Sequence, residues 1–337
     1  RLPIPDRLRR RAERQLLIAR AFGRRRVLRV DADRTPLINR HDILAFVTLR
    51  NERVRLPYFL DYYRDLGVQH FLMVDNGSSD GSADYLRRQD DVSLWRTNAG
   101  YKKARFGMDW LGWLLMRYGN GHWCLTVDPD EFLVYPHCDT RPLSALTSWL
   151  DSIGRRAFPA MLLDMYPKGP INAQPYLPGD NPLDIACWFD SGNYAIRRNH
   201  RFGNLWIQGG PRRRVFFSDL PEKAPALNKI PLVKWDRRYT YVSSTHMLLP
   251  RGLNRVYDEW GGEKASGVLL HAKFLDTFSA KAAEELVRGQ HYAKSIEYKT
   301  YANNPDQNPQ LWGKWSEKYI NWRQLEILGL MSKGNWA

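Results

Sequence analysis

Two carboxylates stand where a buried strand is predicted to end. The apolar run from His122 to Val127 leads directly into Asp128-Pro129-Asp130-Glu131. The ring of Pro129 fixes its own φ and restricts the residue before it, so Asp128 and Asp130 are held close together. Carboxylates that close repel each other unless a proton or a hard cation such as Mg²⁺ or Mn²⁺ lies between them. The spacing predicts a divalent metal site, with a solvated acidic turn as the alternative.

The chain before this motif alternates predicted strands and helices. Apolar runs with the length of buried strands occupy residues 43–49, 68–74 and 92–96. Apolar side chains at helical spacing follow them over residues 54–66, 83–88 and 103–118. This β-α-β-α-β-α-β order, with right-handed crossovers, predicts an α/β fold with a mostly parallel sheet flanked by helices.

Polar clusters follow three of the four predicted strands. Ligands of open parallel sheets bind in the crevice outside the carboxyl ends of the strands, so these clusters predict a binding site at that edge. Asp31-Ala32-Asp33 repeats the acidic spacing but precedes the first strand of the sheet, and it gains no such support. The clusters at the edge are Arg50-Asn51-Glu52, Asp75-Asn76 with Asp80, and Asp128-Pro129-Asp130-Glu131.

These clusters resemble the nucleotide-sugar half of family 2 glycosyltransferases, over residues 43–135. The ending Asp130-Glu131-Phe132 is most similar to the branch related to family 92. The resemblance implies a GT-A fold with an acceptor-side extension and C-terminal helices, a site for Mn²⁺ or Mg²⁺, and a nucleoside-diphosphate sugar donor, with a UDP-sugar favoured. A nucleotidyltransferase would instead carry a Gly-rich phosphate loop where Arg50-Asn51-Glu52 stands.

The resemblance also implies roles for single residues. Asp75 would accept hydrogen bonds from the base or ribose, Glu52 would contact the base side of the pocket, and Asp128 would share the cation with the diphosphate. For Asp75 and Asp80 the alternative is a turn or cap before the next helix. The residues expected at the donor are Arg50, Asn51, Glu52, Asp75, Asn76, Asp80, Asp128 and Lys273.

A downstream histidine is the third expected metal ligand, beside Asp128 and Asp130. Residues 268–274 are predicted as a strand that places His271 and Lys273 on one face. This segment resembles the late His segment of the family, whose imidazole would approach the metal or diphosphate. A hydrogen-bonded structural histidine is the alternative, and His246 is the competing candidate.

The acceptor side has weaker signals. An inverting transfer needs a carboxylate to take the proton of the acceptor hydroxyl, and the candidates are Asp258 and Glu259, then Asp190. Each of the three has the alternative of a surface acid or helix cap. Lys273 or the run 212–214 would bind phosphate or face solvent. A loop over residues 166–184 is expected to build the acceptor pocket with one or two of Trp188, Trp206, Trp235 and Trp260.

Positive charge is concentrated at the start of the chain. Residues 1–40 contain 13 Arg and no Lys against four acids, out of a net charge of +15 for the whole chain. This segment is predicted to form a helix that either lies on an anionic membrane surface or packs on its own domain, with RNA binding a weaker alternative. The apolar residues at helical spacing are Leu8, Ala12, Leu16, Ala19 and Phe22.

No run reaches the roughly 18 apolar residues of a membrane span, and Cys124, Cys138 and Cys187 lack disulfide or zinc spacing. We therefore expect a cytoplasmic protein, peripheral at the inner face of the membrane. Its predicted parts are a basic helical segment (1–40), the donor half (41–135) and acceptor half (136–278) of one GT-A domain, and a helical tail (279–337) with helices at 280–289 and 312–330.

The predicted activity is a metal-dependent, inverting transfer of a sugar from a nucleoside diphosphate to a glycan or lipid-linked acceptor, as in polysaccharide biosynthesis. The first alternative is a catalytically inactive module that binds sugar nucleotides or glycans. A basic nucleic-acid-binding protein is the second alternative, but no nucleic-acid partner is expected.

Overall fold

The computed structural model describes residues 4–257, 264–288 and 309–336. Within these residues the helices are α1 Ile4–Arg24, α2 Leu56–Leu66, α3 Ser82–Arg87, α4 Met108–Tyr118, α5 Leu143–Ser152, α6 Pro182–Ile185, α7 Thr277–Arg288 and α8 Trp322–Ile327. The strands are β1 Arg29–Ala32, β2 Leu44–Leu49, β3 His70–Asp75, β4 Val92–Arg96, β5 Trp123–Thr126, β6 Glu131–Val134, β7 Ala157–Asp164, β8 Trp188–Asp190, β9 Ala195–Asn199, β10 Asn204–Gln208, β11 Asn228–Lys234, β12 Thr240–Ser243, β13 Met247–Leu249, β14 Gly267–His271 and β15 Ser316–Lys318.

A nine-stranded sheet runs through the molecule in the order β1-β4-β3-β2-β5-β11-β7-β14-β6, beside small two-stranded sheets. The pairs β4-β3, β3-β2, β2-β5 and β7-β14 are parallel, and the other pairs of this sheet are antiparallel. The α/β class is therefore confirmed, but the expectation of a mostly parallel sheet is wrong. The physical reason is that β11 enters antiparallel between β5 and β7, and β6 lies antiparallel beside β14.

Alternate residues of β2 enter two cores on opposite faces of this sheet. Ala45 and Val47 pack in the core that contains side chains of α2 and α5, whereas Leu44 and Phe46 pack in the core that contains α4. All four side chains are fully buried. The continuous apolar run at 43–49 therefore marks a strand that is covered on both faces.

Local backbone conformation shortens the third predicted helix. The helix predicted over 103–118 begins only at Met108, because Arg105, Phe106 and Gly107 have φ values of 51°, 58° and 78°. A right-handed helix cannot include such residues. The strand predicted at 92–96 is confirmed with its bounds unchanged.

The two ends of the chain differ from the prediction. The basic segment also contains β1, which pairs with β4 at the edge of the sheet. The helix predicted at 312–330 is wrong in its first part, because Ser316–Lys318 pairs with β8 instead. The helix starts only after Asn321, whose side chain accepts hydrogen bonds from the N–H groups of Arg323 and Gln324.

None of the described helices is both long and apolar enough to cross a bilayer.

A matched pair of glycines tests the packing of β14 between its neighbours. A methyl group at Gly267 would lie 2.6 Å from the carbonyl oxygen of Val134 and 2.9 Å from the ring of Phe158. We expect Gly267→Ala to lower the free energy of unfolding by about 1–3 kcal/mol, because β6 cannot retreat without losing its pairing. Gly252→Ala, which meets no atom within 4 Å, should stay within about 0.5 kcal/mol. Equal urea midpoints for both variants would contradict this packing.

Candidate functional site

Strand register brings the candidate site together. Glu131 of β6 lies opposite His271 of β14, and His271 lies opposite Asp164 of β7. Asp130 immediately precedes β6, and its carbonyl oxygen accepts a hydrogen bond of 2.9 Å from the N–H of Ala272. Side chains at the ends of three neighbouring strands thus meet, although Asp164 and His271 are 107 positions apart in the chain.

His271 is held between two carboxylates. Its Nδ1 lies 2.7 Å from Oδ1 of Asp164, and its Nε2 lies 3.3 Å from Oδ2 of Asp130. Nε of Arg212 donates to Oδ2 of Asp164 at 2.7 Å. The series Arg212–Asp164–His271–Asp130 is named here the acid–histidine chain, and its first three members are buried.

Charge pairing outweighs burial in the acid–histidine chain. Burial raises the pKa of Asp130, but His271 lowers it further, and the net pKa lies well below the ordinary value. For Asp164, burial again raises the pKa, whereas Arg212 and His271 bring it below the ordinary value. Burial lowers the pKa of His271, but Asp130 and Asp164 raise it more. The arrangement therefore favours an imidazolium between two ionised carboxylates.

Glu131 forms a second buried ion pair, with Lys229. Burial lowers the pKa of Lys229, but Glu131 and Asp128 raise it above the ordinary value, so the ammonium stays charged. Asp128 lies 3.5 Å from Nζ of Lys229, and its side chain is 55% exposed, against 22% for Asp130. The two acids that the sequence motif joins therefore have different environments and different cationic neighbours.

Asp130, Glu131 and His271 each offer a ligand atom, and these atoms lie within 4.8 Å of one another. Carboxylate oxygens with an imidazole nitrogen suit a divalent metal. Metal-binding histidines usually place their other ring nitrogen on a carboxylate, as His271 does on Asp164. The donor set therefore fits a divalent cation. Asp130 and His271 come together as the sequence predicted, Glu131 joins them, and Asp128 lies outside this group.

The loop after β2 contacts α7. Nε of Arg50 lies 2.8 Å from Oε1 of Glu284, and Nδ2 of Asn51 donates to both carboxylate oxygens of Glu284 at 3.0 and 3.1 Å. Glu52 forms an ion pair with Lys281 of the same helix. The three predicted donor residues after β2 therefore lie together, and a helix from the predicted tail covers them.

A buried arginine connects this loop to the metal-capable group. Arg55 is 1% exposed, and its Nη1 lies 3.1 Å from Oε2 of Glu52. Burial lowers the pKa of Arg55, but Glu52 and Asp130 raise it. Arg55 and Lys281 in turn help to lower the pKa of Asp130. The loop after β2, α7 and the β5–β6 turn therefore share one electrostatic environment.

Asp75 and Asp80 take the turn geometry that the sequence allowed as an alternative. Asp75 is buried and accepts hydrogen bonds from the N–H and hydroxyl of Ser78. Asp80 accepts hydrogen bonds from the N–H groups of Ser82 and Arg53, at 3.0 and 2.9 Å. The bond from Arg53 joins the loops after β2 and β3, and the other bonds lie within the loop after β3. Contact of either acid with the sugar-nucleotide donor stays a prediction.

The remaining predicted residues have separate outcomes. Asn76 contacts the loop after β2, because Nη1 of Arg50 donates to its carbonyl oxygen at 2.9 Å, and its own amide donates to the carbonyl oxygens of Thr97 and Ala99 at 3.0 Å. The argument that Lys273 shares a strand face with His271 is wrong, because β14 ends at His271. The two first candidates for the catalytic base, Asp258 and Glu259, lie outside the described residues.

The third candidate base, Asp190, is fully buried. Arg214 contacts both of its carboxylate oxygens, at 2.9 and 3.1 Å, and the hydroxyl of Tyr166 donates to Oδ1. A fully buried carboxylate whose oxygens already contact a guanidinium and a phenol has a structural role in this geometry. Arg214 and Arg212 both pair with buried acids, which weakens the expectation that the run 212–214 binds phosphate.

The tryptophans expected at the acceptor pocket have different environments. Trp235 is 2% exposed and packs in the core beside α4, which argues against contact with a ligand. Trp188 and Trp206 are partly exposed, and Trp260 lies outside the described residues. Contact of Trp188 or Trp206 with an acceptor stays a prediction.

Sequence reasoning missed Asp164, Lys229 and Arg55. Asp164 ends the buried strand β7, so the carboxyl-end rule that selected Asp75 applies to it as well. Lys229 is the second residue of β11 and is buried, and a lysine within a buried strand indicates an acidic partner. Arg55 carries no comparable signal, because an arginine beside a predicted helix is usually solvated.

Comparison with known proteins assigns no family. No family model matches the chain, and no curated protein matches it. The likeness to family 2 glycosyltransferases therefore stays a resemblance of three loop clusters, and the site is described by its own geometry.

His246, the competing histidine candidate, lies beside β11 and gives a pH-dependent test of the packing there. Its Nδ1 lies 2.6 Å from the carbonyl oxygen of Asn228. Burial, followed by the charge of Lys229, lowers its pKa to about 4. The pKa of histidine in the unfolded chain is about 6.5. Between about pH 4 and pH 6.5, therefore, His246 is protonated in the unfolded chain but neutral in the folded protein. The stability that His246 contributes is complete above about pH 6.5 and is lost as the pH falls toward 4.

We expect the parent to lose about 1–3 kcal/mol of unfolding free energy through His246 between about pH 7.5 and pH 4. His246→Gln should lose less over this interval, because glutamine does not titrate. His41→Gln changes an exposed histidine and should follow the parent. Urea unfolding at several pH values measures how the free energy of unfolding changes with pH in each of the three proteins. The same pH dependence in all three would contradict the buried neutral state of His246.

Proposed function

We propose that this protein is a metal-dependent glycosyltransferase that moves a sugar, with inversion, from a nucleoside diphosphate to a glycan or lipid-linked acceptor. The main support is that the loops after β2, β3 and β5 lie at the carboxyl ends of parallel strands, where β14 adds His271 beside Asp130. Ligands of open α/β sheets bind at this edge. The resemblance to family 2 supplies the reaction class and the GT-A description.

The acid–histidine chain gives each residue a task in this proposal. A divalent cation held by Asp130 and His271, with Glu131 or Asp128, would stabilise the negative charge that develops on the departing diphosphate. Asp164 orients the imidazole through Nδ1, so that Nε2 faces Asp130. Arg212 keeps Asp164 ionised and in place.

The contacts of Arg50 and Asn51 support an anionic ligand. Both side chains donate to one carboxylate, that of Glu284. Their donors are therefore already arranged for a negatively charged group, and the buried guanidinium of Arg55 adds positive charge nearby. In this proposal a phosphate of the sugar-nucleotide donor replaces the carboxylate of Glu284.

A second candidate function is a module that binds sugar nucleotides without catalysis. The supporting observation is that internal partners already neutralise the candidate residues. Lys229 pairs with Glu131, and Lys281 pairs with Glu52. A site that keeps such pairs after binding would hold a ligand without assembling a metal centre.

Donor turnover with Mn²⁺ separates these functions. A thermal-shift screen of nucleotide sugars first identifies the donor, since a ligand of the native state raises apparent stability. Asp130→Asn keeps the side-chain shape but removes its charge, and we expect it to lower hydrolysis or transfer by at least about 100-fold. Asp90→Asn changes an exposed acid before β4, at the opposite ends of the parallel strands, and should retain the parent rate.

Equal turnover by the parent and Asp130→Asn would remove the proposed mechanism. A donor that stabilises the parent with no turnover at any metal concentration would favour the binding module.

Asp164→Asn tests how the histidine is oriented. It keeps a group that can hydrogen-bond Nδ1 of His271 but loses the charge, so we expect Mn²⁺ affinity to fall by about 10–100-fold. The control is Asp109→Asn, since Asp109 is likewise fully buried and paired with arginines, Arg20 and Arg105. Electron paramagnetic resonance of free Mn²⁺ gives both affinities, and an unchanged affinity in Asp164→Asn would show that it does not support a metal ligand.

A further inference from the structure

Helix α1 turns its apolar stripe away from the protein. Leu8 and Leu16 are each 62% exposed, and Ala12 and Ala19 between and after them are also exposed. Their spacing places the four residues on one face of the helix. These four residues, named here the apolar stripe, have no place in the cores formed by the described residues.

The other side of α1 attaches to α4 and the residues before it through both apolar and polar contacts, and the ring of Phe22 lies 5.5 Å from that of Trp113. Ala21 is buried beside Gly112 of α4. Nη2 of Arg20 lies 3.1 Å from Oδ2 of the buried Asp109, and Arg20 and Arg24 both donate to the carbonyl oxygen of Lys103. An amphipathic helix of a globular protein usually buries its apolar face. In α1 the face that contains Leu8 and Leu16 instead points to solvent.

Exposed arginines border the apolar stripe on both sides. At 100° per residue, Arg7 and Arg11 lie on one side of it, and Arg9 lies on the other. All three are exposed. The whole helix contains seven Arg against two acids, and one of these acids, Glu13, is paired with Arg201. The surface is therefore cationic at its edges and apolar at its centre.

We propose that this face of α1 docks the protein on a membrane surface rich in anionic lipids. The helix would lie in the plane of the membrane, with the apolar stripe at the boundary of headgroups and acyl chains and the bordering arginines on the phosphates. A nucleic-acid backbone would engage the arginines but would leave Leu8 and Leu16 in water. The exposed leucines are therefore the observation that selects a lipid partner.

This proposal does not depend on the sugar-transfer function. The docking face contains no residue of the acid–histidine chain or of the loops after β2 and β3, so either proposal can fail while the other holds. If both hold, the docked helix brings a sugar-transfer site to lipid-linked acceptors.

Vesicle sedimentation tests the docking face. We expect the parent to bind vesicles of equal parts phosphatidylcholine and phosphatidylglycerol, and to bind pure phosphatidylcholine at least about 10-fold more weakly. The double variant Leu8→Gln, Leu16→Gln should lose at least about 10-fold in affinity for the mixed vesicles, because it removes the apolar contribution. The control Ile327→Gln changes a side chain that is 84% exposed on α8 and should bind as the parent does.

The altered leucines are exposed, so circular dichroism and the unfolding midpoint should match those of the parent. Loss of vesicle binding would then report the surface itself and not misfolding. Parent protein that fails to sediment with the mixed vesicles would overturn the proposal. Binding that is equal on both vesicle types, or unaffected by the double variant, would do the same, and RNA binding unaffected by the double variant would assign the arginines to nucleic acid.

Discussion

The pairing of buried charges is the constraint on which the carboxyl edge of the sheet depends. Arg212, Asp164, His271 and Asp130 alternate in sign, and the first three are at most 6% exposed. Removing one partner of a buried pair leaves an uncompensated charge, which costs about 3–5 kcal/mol. Each residue therefore fixes its neighbour, and the series holds β7, β14 and the β5–β6 turn in one arrangement. The same pairing makes these four residues electrically neutral in the absence of a bound ion.

This internal neutrality changes the electrostatic argument for a metal. The acidic motif alone suggests that Asp128 and Asp130 need a shared cation, but His271 already neutralises Asp130, and Lys229 lies beside Glu131 and Asp128. A divalent ion would have to displace protein cations or a proton from these groups, because metal ligands bind in their deprotonated form. A metal at this edge would therefore bind in competition with the fold's own ion pairs, and its affinity would depend on how firmly those pairs are held.

The sequence predicted what is local and missed what depends on long-range pairing. Continuous apolar runs located β2 to β5 within two residues, and the carboxyl-end rule placed three loops at one edge, because both signals are local. The position of β11 between β5 and β7 depends on pairing between distant segments, so the mixed sheet and the ion pair of Lys229 with Glu131 were not foreseen. The approach of α7 to Arg50 and Asn51 is likewise a tertiary contact. Asp164 could have been found, because it ends a strand as Asp75 does.

Helix α1 shows why an amphipathic pattern leaves its partner undecided. The same stripe of leucines and alanines serves a helix packed on its domain and a helix on a membrane, since both partners remove apolar surface from water. In this protein the ion pairs on the opposite face of α1 decide between these two orientations. Asp109 is fully buried and is shared by Arg20 and Arg105, so rotating α1 to bury its leucines would leave this carboxylate with one arginine. Burying a leucine gains about 1.5–3 kcal/mol, which is similar to the cost of weakening a buried ion pair. A membrane would bury the leucines while Asp109 keeps both of its arginines. This balance favours an orientation in which Leu8 and Leu16 point outward.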